Sequence, residues 1–185
     1  AAYFHRMAWT VEIAGVQDTE VVARIGRETF YETWRDYNTP EDMALYLQDA
    51  FDHDKVRKDL ANSEVNTFFL VRDGARIGGY AKVRRDRIYP ALEGTRPLEI
   101  ERVYVFRELH GEGLAAKLMD AIIRLAHEER MDLLWLGVNI DNARAIRFYR
   151  KYGFEIFGSK LFQLGKALDE DYLMKAAVPP LKQQQ

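Results

Sequence analysis

The chain contains no cysteine. Disulfides, thiolate nucleophiles and cysteine-based zinc sites are therefore excluded, and a reducing cytosol is the simplest home. Histidine is scarce too. His5, His53, His110 and His127 fall into no ligand spacing such as H-E-x-x-H, so no metal is expected. No apolar run approaches the roughly 18 residues needed to cross a bilayer. The N-terminal residues lack the apolar stretch of a secretory signal, and no membrane partner is expected. Neither sign of charge dominates: the formal net charge is −2, which gives no reason to expect nucleic acid as a partner.

What the chain does have is apolar bulk. Of its 185 residues 48% are hydrophobic, with 10 Tyr, 10 Phe and 3 Trp, enough for the core of one domain. That domain is placed at residues 7–178. Residues 1–6 read as an addition ahead of a native start at Met7, and the polar residues 179–185 as a flexible tail.

Periodicity predicts a short strand at 9–14 and a helix at 18–31. Thr39-Pro40-Glu41-Asp42 is a helix start, with a capping Thr, Pro at the first position and acids in the first turn. That helix reaches residue 50, and a short one follows at 54–62. Strand-like runs at 67–72 and 76–84 flank Asp73-Gly74, a hairpin signal. A loop at 86–97 leads to a strand at 98–106, a helix at 113–129 and a buried strand at 133–138. A helix at 141–152 stops at Gly153, and strands at 155–164 and 172–177 close the chain. Residues 98–138 form one βαβ unit, so its strands run parallel. The fold class is α+β in three layers: a mixed, mostly antiparallel sheet of about seven strands, with helices on both faces.

The sharpest segment runs Glu99-Ile-Glu-Arg-Val-Tyr-Val-Phe-Arg-Glu-Leu-His-Gly-Glu-Gly-Leu-Ala-Ala116. A strand enters a glycine-bearing loop that opens a long amphipathic helix. Gly111 and Gly113 let backbone N–H groups approach a ligand without a Cβ in the way, and the helix N-terminus adds partial positive charge. The result suits a pyrophosphate cradle that needs no metal, and Gly-x-Gly alone reads equally well as an ordinary strand–helix turn that uses glycine for shape. Gly111-Glu-Gly-Leu-Ala-Ala116 also fits a dinucleotide fingerprint. The charged strand before it and the short chain after it argue against a doubly wound fold. On the later helix Asn142, Ala145 and Tyr149 share one face across two turns, roughly 10 Å. An amide and a phenol on that face suit the middle and the reactive end of an extended cofactor. Taken alone, Asn142 reads better as a surface or capping residue and Tyr149 better as a core aromatic.

Together the two patterns, His110-x-x-Gly113-x-Ala115 and Asn142-x-x-Ala145-x-x-x-Tyr149-x-x-x-Gly153-Phe154, resemble the GNAT superfamily of N-acetyltransferases. His110 stands where that family usually has Gln or Arg. Glu28-Thr-Phe-Tyr-Glu-Thr-Trp34, Thr39-Pro-Glu-Asp-Met-Ala-Leu-Tyr-Leu47, Leu98-Glu-Ile-Glu-Arg-Val-Tyr-Val105 and Trp135-Leu-Gly-Val138 are similar to the PaiA-type polyamine acetyltransferases. The resemblance implies acetyl-CoA as cosubstrate and a small amine, spermidine or spermine, as acceptor. Val103, Tyr104 and Val105 would meet the pantetheine arm. His110, Gly111, Glu112, Gly113, Leu114, Ala115 and Ala116 would hold the pyrophosphate. Asn142, Ala145 and Tyr149 would line the cofactor, with Lys151 near its 3′-phosphate.

Direct transfer needs a base for the ammonium form of the acceptor. Glu99 and Glu101 alternate onto the strand face of Val103 and Val105, and either could serve, or both could pair with Arg102 or Arg84. Tyr149 would protonate the leaving thiolate. Between Glu28 and Asp54 stand eight acids, opposed only by Arg35. Of these Glu32, Asp36 and Glu41 are candidates to attract a polycation, although such runs are usually solvated helix faces. Two alternatives remain: an acyl-CoA-binding regulator without turnover, and an acetyltransferase for protein amines. A homodimer is compatible with either.

Overall fold

The computed structural model describes residues 8–182. The start assigned to Met7, residues 1–6 and residues 183–185 of the tail lie outside the described residues. The elements are β1 (Thr10–Ile13), α1 (Thr19–Trp34), α2 (Pro40–Ala50), α3 (His53–Ala61), β2 (Asn66–Asp73), β3 (Arg76–Arg84), β4 (Pro97–Val105), α4 (Leu114–Glu128), β5 (Leu133–Asn139), α5 (Ala143–Arg150), β6 (Glu155–Leu164) and β7 (Ala167–Ala177). Seven strands make one sheet in the order β1-β2-β3-β4-β5-β7-β6. Only β4 and β5 run parallel, joined across the sheet by α4.

Three layers result from strands buried on both faces. In β2 the run Phe68-Phe69-Leu70-Val71 sends Phe69 and Val71 into one core and Phe68 and Leu70 into another. The first core lies under α4, whose Leu114, Leu118, Met119, Ile122, Ile123 and Ala126 are all buried. The second lies under α1 and α3, and a third joins α1 and α2 to Leu164 at the end of β6. Thr39 caps α2 as its sequence predicts, accepting the Asp42 N–H at 3.1 Å.

β7 begins at Ala167, five residues before the predicted strand. Leu168-Asp-Glu-Asp171 has poor strand propensity, but its pairing decides the matter. A two-residue Gly165-Lys166 turn with φ of 58° at the glycine closes the β6–β7 hairpin, and Asp171 lies opposite Lys160. Asp42 of α2 accepts the Lys166 N–H at 2.7 Å and ties the turn down. Residues 179–182, expected as tail, run along α4. His127 Nε2 donates to the Pro179 carbonyl at 2.7 Å, and Lys182 pairs with Asp120 at 3.6 Å.

Two irregularities shape the middle of the sheet. Lys82 of β3 pairs with Arg102, yet Val83 pairs with Ile100, so Glu101 is an extra residue in β4. This bulge corrects the expected alternation. Val103 and Val105 pack toward the α4 core with Leu98 and Ile100, whereas Glu101, Arg102 and Tyr104 face the α1 side. The second irregularity is a split. β4 and β5 pair only at Pro97–Leu133, Leu98–Leu134 and Glu99–Trp135. Beyond Glu99 and Trp135 the two strands part, and the facing edges carry backbone groups without a strand partner.

Gly79 of β3 sets how closely β4 can approach. A Cβ there would lie 2.5 Å from the Tyr104 carbonyl oxygen and 3.1 Å from Val105 Cα. Gly79→Val is therefore expected to cost about 1–3 kcal/mol of stability by overpacking, seen as a lower urea midpoint at unchanged slope.

Candidate active site

Two cavities meet at the split. One, of about 300 Å³, lies between the sheet, α1, α2 and the β6–β7 hairpin. The other, of about 490 Å³, lies between α1, the loop before α4 and α5. Val103, Tyr104, Asn142, Ala145 and Tyr149 line both.

His110 and Ala115 line the larger cavity, and the glycine loop between them, whose Gly111, Glu112, Gly113 and Leu114 do not line it, has the features of a phosphate site. Gly111 and Gly113 hold φ of 91° and 78°, and a Cβ on either would project into open space. The first intrahelical bond of α4 runs from the Lys117 N–H to the Gly113 carbonyl, which leaves Leu114, Ala115 and Ala116 as free donors in the first turn. Glu112, expected among those donors, gives its N–H to the Leu109 carbonyl at 3.2 Å instead.

The tautomer of His110 follows from its neighbours. Arg144 has no acceptor to offer, so its Nη1, 2.7 Å from His110 Nδ1, must donate. His110 Nε2 therefore carries the hydrogen and donates to the Val105 carbonyl at 3.1 Å. Burial and the Arg144 guanidinium both hold the imidazole below its ordinary pKa. The ring is a neutral bracket, and the cation at this position is Arg144, which also lines the cavity. Sequence reasoning missed it. The signal was an Arg two residues into the Asn142 motif, visible only once the loop and α5 are adjacent. Lys151 borders a separate hollow of about 910 Å³ that also reaches Ala116 and Phe148.

Asn142 caps α5: its Oδ1 accepts the Ala145 N–H at 3.1 Å. Its amide group still lines both cavities. Tyr149 is 8% exposed and packs against Phe148 and Phe154 at ring distances of 5.3 and 5.5 Å. Burial raises its pKa well above that of a free phenol, so it holds its proton at neutral pH.

The two glutamates differ. Glu99 is 3% exposed. Its Oε1 is 3.5 Å from Arg87 Nη1, and its buried Oε2 takes no hydrogen bond from the described residues. Burial raises its pKa, against the pull of Arg87 and with the help of Glu101. Glu101 is held by ion pairs, with Lys82 Nζ 2.7 Å from its Oε2, Arg87 Nη1 at 3.7 Å and Arg84 Nη1 at 3.8 Å. Its Oε2, like that of Glu99, is buried outside hydrogen-bond geometry; the two differ in the cation in contact. Burial pushes its pKa up too, but Lys82, Arg102 and Arg87 more than offset that and hold it below the ordinary value. Both line the smaller cavity.

The three acids read as acceptor contacts are not gathered there. Glu32 and Asp36 line the larger cavity, and Glu41 is exposed and lines neither. Glu32 accepts the Arg107 backbone N–H at 3.0 Å, and its carbonyl accepts from Arg107 Nη2 at 2.6 Å. Much of the acidic run holds local structure: Asp42 the hairpin turn, Asp49 an ion pair with Lys55, and Asp52 the cap of α3. The smaller cavity instead has Asp169, Asp171 and Lys160 from the hairpin beside an aromatic wall of Phe30, Trp34, Tyr46 and Phe162. Among the described residues no three His, Asp or Glu side chains are grouped to hold a metal ion, and no helix is long and apolar enough to cross a membrane.

Gly113→Asp places a Cβ in left-handed backbone and a carboxylate beside the free donors of α4. It is expected to weaken acetyl-CoA binding at least tenfold, about 1.4 kcal/mol, measured by calorimetry on the folded variant. Gly113→Ala is expected to lose mainly stability.

Comparison with known proteins accounts for this arrangement. Residues 22–154 match the acetyltransferase (GNAT) family. The chain is 34% identical over 154 residues to an uncharacterized N-acetyltransferase in the pepI 3′ region of Lactobacillus delbrueckii, covering 83% of this chain and 88% of that one. It is 29% identical over 156 residues to an L-methionine sulfoximine/L-methionine sulfone acetyltransferase of Pseudomonas paraeruginosa, covering 82% and 83%. The crystal structure of PaiA N-acetyltransferase from Thermoplasma acidophilum with coenzyme A aligns with a TM-score of 0.75 at 16% identity, over 92% of this chain and 99% of that one. That last likeness is one of fold. With the split sheet, the free helix donors and the two joined cavities, the family match makes this chain a member of the GNAT family, an acetyl-CoA-dependent N-acetyltransferase.

Proposed function

We propose that the chain acetylates a primary amine carrying further positive charge, a polyamine such as spermidine or spermine, by direct attack within a ternary complex. One observation carries this reading: Glu99 and Tyr149, a carboxyl and a phenol with separated proton affinities, line one cavity at the split between β4 and β5. Bound acetyl-CoA supplies the activated acetyl thioester. Leu114, Ala115, Ala116 and Arg144 are suited to its pyrophosphate, and the open edge of β4 from Val103 to Val105 to its pantetheine arm.

The acceptor arrives as an ammonium ion, since alkylamines have pKa values of about 10. Glu99 takes one proton through its free Oε2, directly or by way of a water. Nitrogen then bonds to the acetyl carbon as the carbon–sulfur bond breaks. A second amine proton replaces the one that Tyr149 gives to sulfur, so the phenol ends unchanged and Glu99 returns its proton to solvent. A backbone N–H on the open edge of β4 is suited to polarising the acetyl carbonyl.

Asp169 and Asp171, beside aromatic rings whose faces attract cations, support a polycation. Arg87 and Lys160 in the same cavity favour a second reading, a zwitterionic amino acid, and the acetyltransferase of P. paraeruginosa named above acts on such a compound.

Tyr149→Phe is expected to lower kcat about 10²–10⁴-fold with acetyl-CoA affinity unchanged, because only the hydroxyl is lost. Steady-state turnover and calorimetry together check this. Spermidine is expected to exceed butylamine in kcat/KM at low salt. The gap should narrow as the Debye length falls toward about 8 Å at physiological salt. Equal activity on both, or preference for an amino acid, rejects the polyamine.

A further inference from the structure

Beneath the acceptor cavity runs a chain of charge. Lys82 of β3 is 3% exposed. Its Nζ lies 2.7 Å from Asp59 Oδ2 of α3 and 2.7 Å from Glu101 Oε2 in the β4 bulge, over the ring of Phe68. From Glu101 the chain continues through Arg87, 3.7 Å away, to Glu99 at 3.5 Å. Burying an ammonium ion is costly, and an apolar side chain of similar size often serves packing as well. Lys82 is thus a poor choice for stability alone.

We propose that Lys82 is a positioning residue for proton transfer: by clamping Glu101 against Asp59 it leaves Glu99 as the one of two neighbouring carboxylates free to act on the acceptor. The inference rests on Glu99 being the base. Arg87 is the element shared between the two glutamates. With Lys82 present Glu101 is held mainly from below, and Arg87 remains available to Glu99. Without Lys82, Arg84 and Arg87 alone must balance Glu101, and Glu99 faces a less compensated negative neighbour. The other groups around the pair are Arg102 on β4, Asp86 bound to Arg84, Tyr46 of α2, Lys160 of β6 and Asp171 of β7. None of these makes the contact that Lys82 makes with Glu101.

The sign follows. Removing a cation disfavours ionised Glu99, so its base form is lost at a higher pH in Lys82→Met. Removing the negative neighbour in Glu101→Gln acts in the opposite direction and leaves the Lys82–Asp59 pair intact. The experiment is a titration of the Glu99 carboxyl by ¹³C NMR on the full chain labelled at glutamate, assigned by the signal missing in Glu99→Gln. Its companion is the pH dependence of kcat/KM, read as thiol release from acetyl-CoA with spermidine. Lys82→Met is expected to move the Glu99 titration up by about one pH unit, a tenfold change in its ionisation equilibrium. Glu101→Gln should move it down, and Lys82→Arg should leave it near wild type. If folded Lys82→Met leaves the titration unmoved, the inference is overturned. Should Lys82→Met fail to fold, an unmoved or upward titration in Glu101→Gln overturns it equally. Full activity in Glu99→Gln would instead reject Glu99 as the base, whatever the titrations show.

Discussion

β4 and β5 hold together for three residue pairs and then separate, and the rest of the site depends on that separation. Buried backbone groups are normally paired. A strand edge left open inside a sheet is tolerable only where water or a ligand can reach it. Here the open edges border both cavities. The parting is shaped from the other side of β4, where the Glu101 bulge adds a residue and a local twist. Close contact with Gly79 keeps the end of the strand against β3. The same departure from regular pairing aims Glu101, Arg102 and Tyr104 at the α1 side and Val103 and Val105 at the α4 core.

Electrostatics then divides labour among chemically similar groups. Two glutamates separated by one residue are pushed apart in proton affinity: Lys82, Arg102 and Arg87 more than offset burial at Glu101, whereas burial outweighs the pull of Arg87, Lys160 and Arg84 at Glu99. Tyr149 is kept neutral by the packing that makes it look like a core aromatic. His110 does not leave the glycine loop without a cation, because Arg144 reaches its ring from α5.

The helices and most strands were legible because each carries its own period and punctuation. The apolar stripe of α4, the Thr39-Pro40 start of α2 and the Asp73-Gly74 hairpin are local signals. So is the glycine loop, and the order of the elements then implied the parallel pair. What stayed hidden depends on partners distant in sequence. Nothing in Glu99-Ile-Glu-Arg-Val103 marks Glu101 as the extra residue, since that is decided by the register of β3. The start of β7 is acidic, and only its pairing with β6 makes it a strand. The acidic run from Glu28 to Asp54 looked like free charge, yet Glu32, Asp42 and Asp52 are each occupied by backbone N–H groups. A sequence shows how many charges there are, but not which are already spoken for.

The last turns of α1 touch both cavities at once. Glu32 grips Arg107 at the entrance to the glycine loop, and Trp34 Nε1 reaches the Tyr104 hydroxyl at 3.4 Å. The helix is thus a common strut between the two chambers. It cannot swing outward to widen the smaller chamber without dragging the glycine loop. α2 and the β6–β7 hairpin carry no such double duty. They contribute Tyr46, Lys160, Phe162, Asp169 and Asp171 to the smaller chamber alone. The smaller chamber is mechanically cheapest to reshape on that side, while α1 is bound to the geometry of the glycine loop.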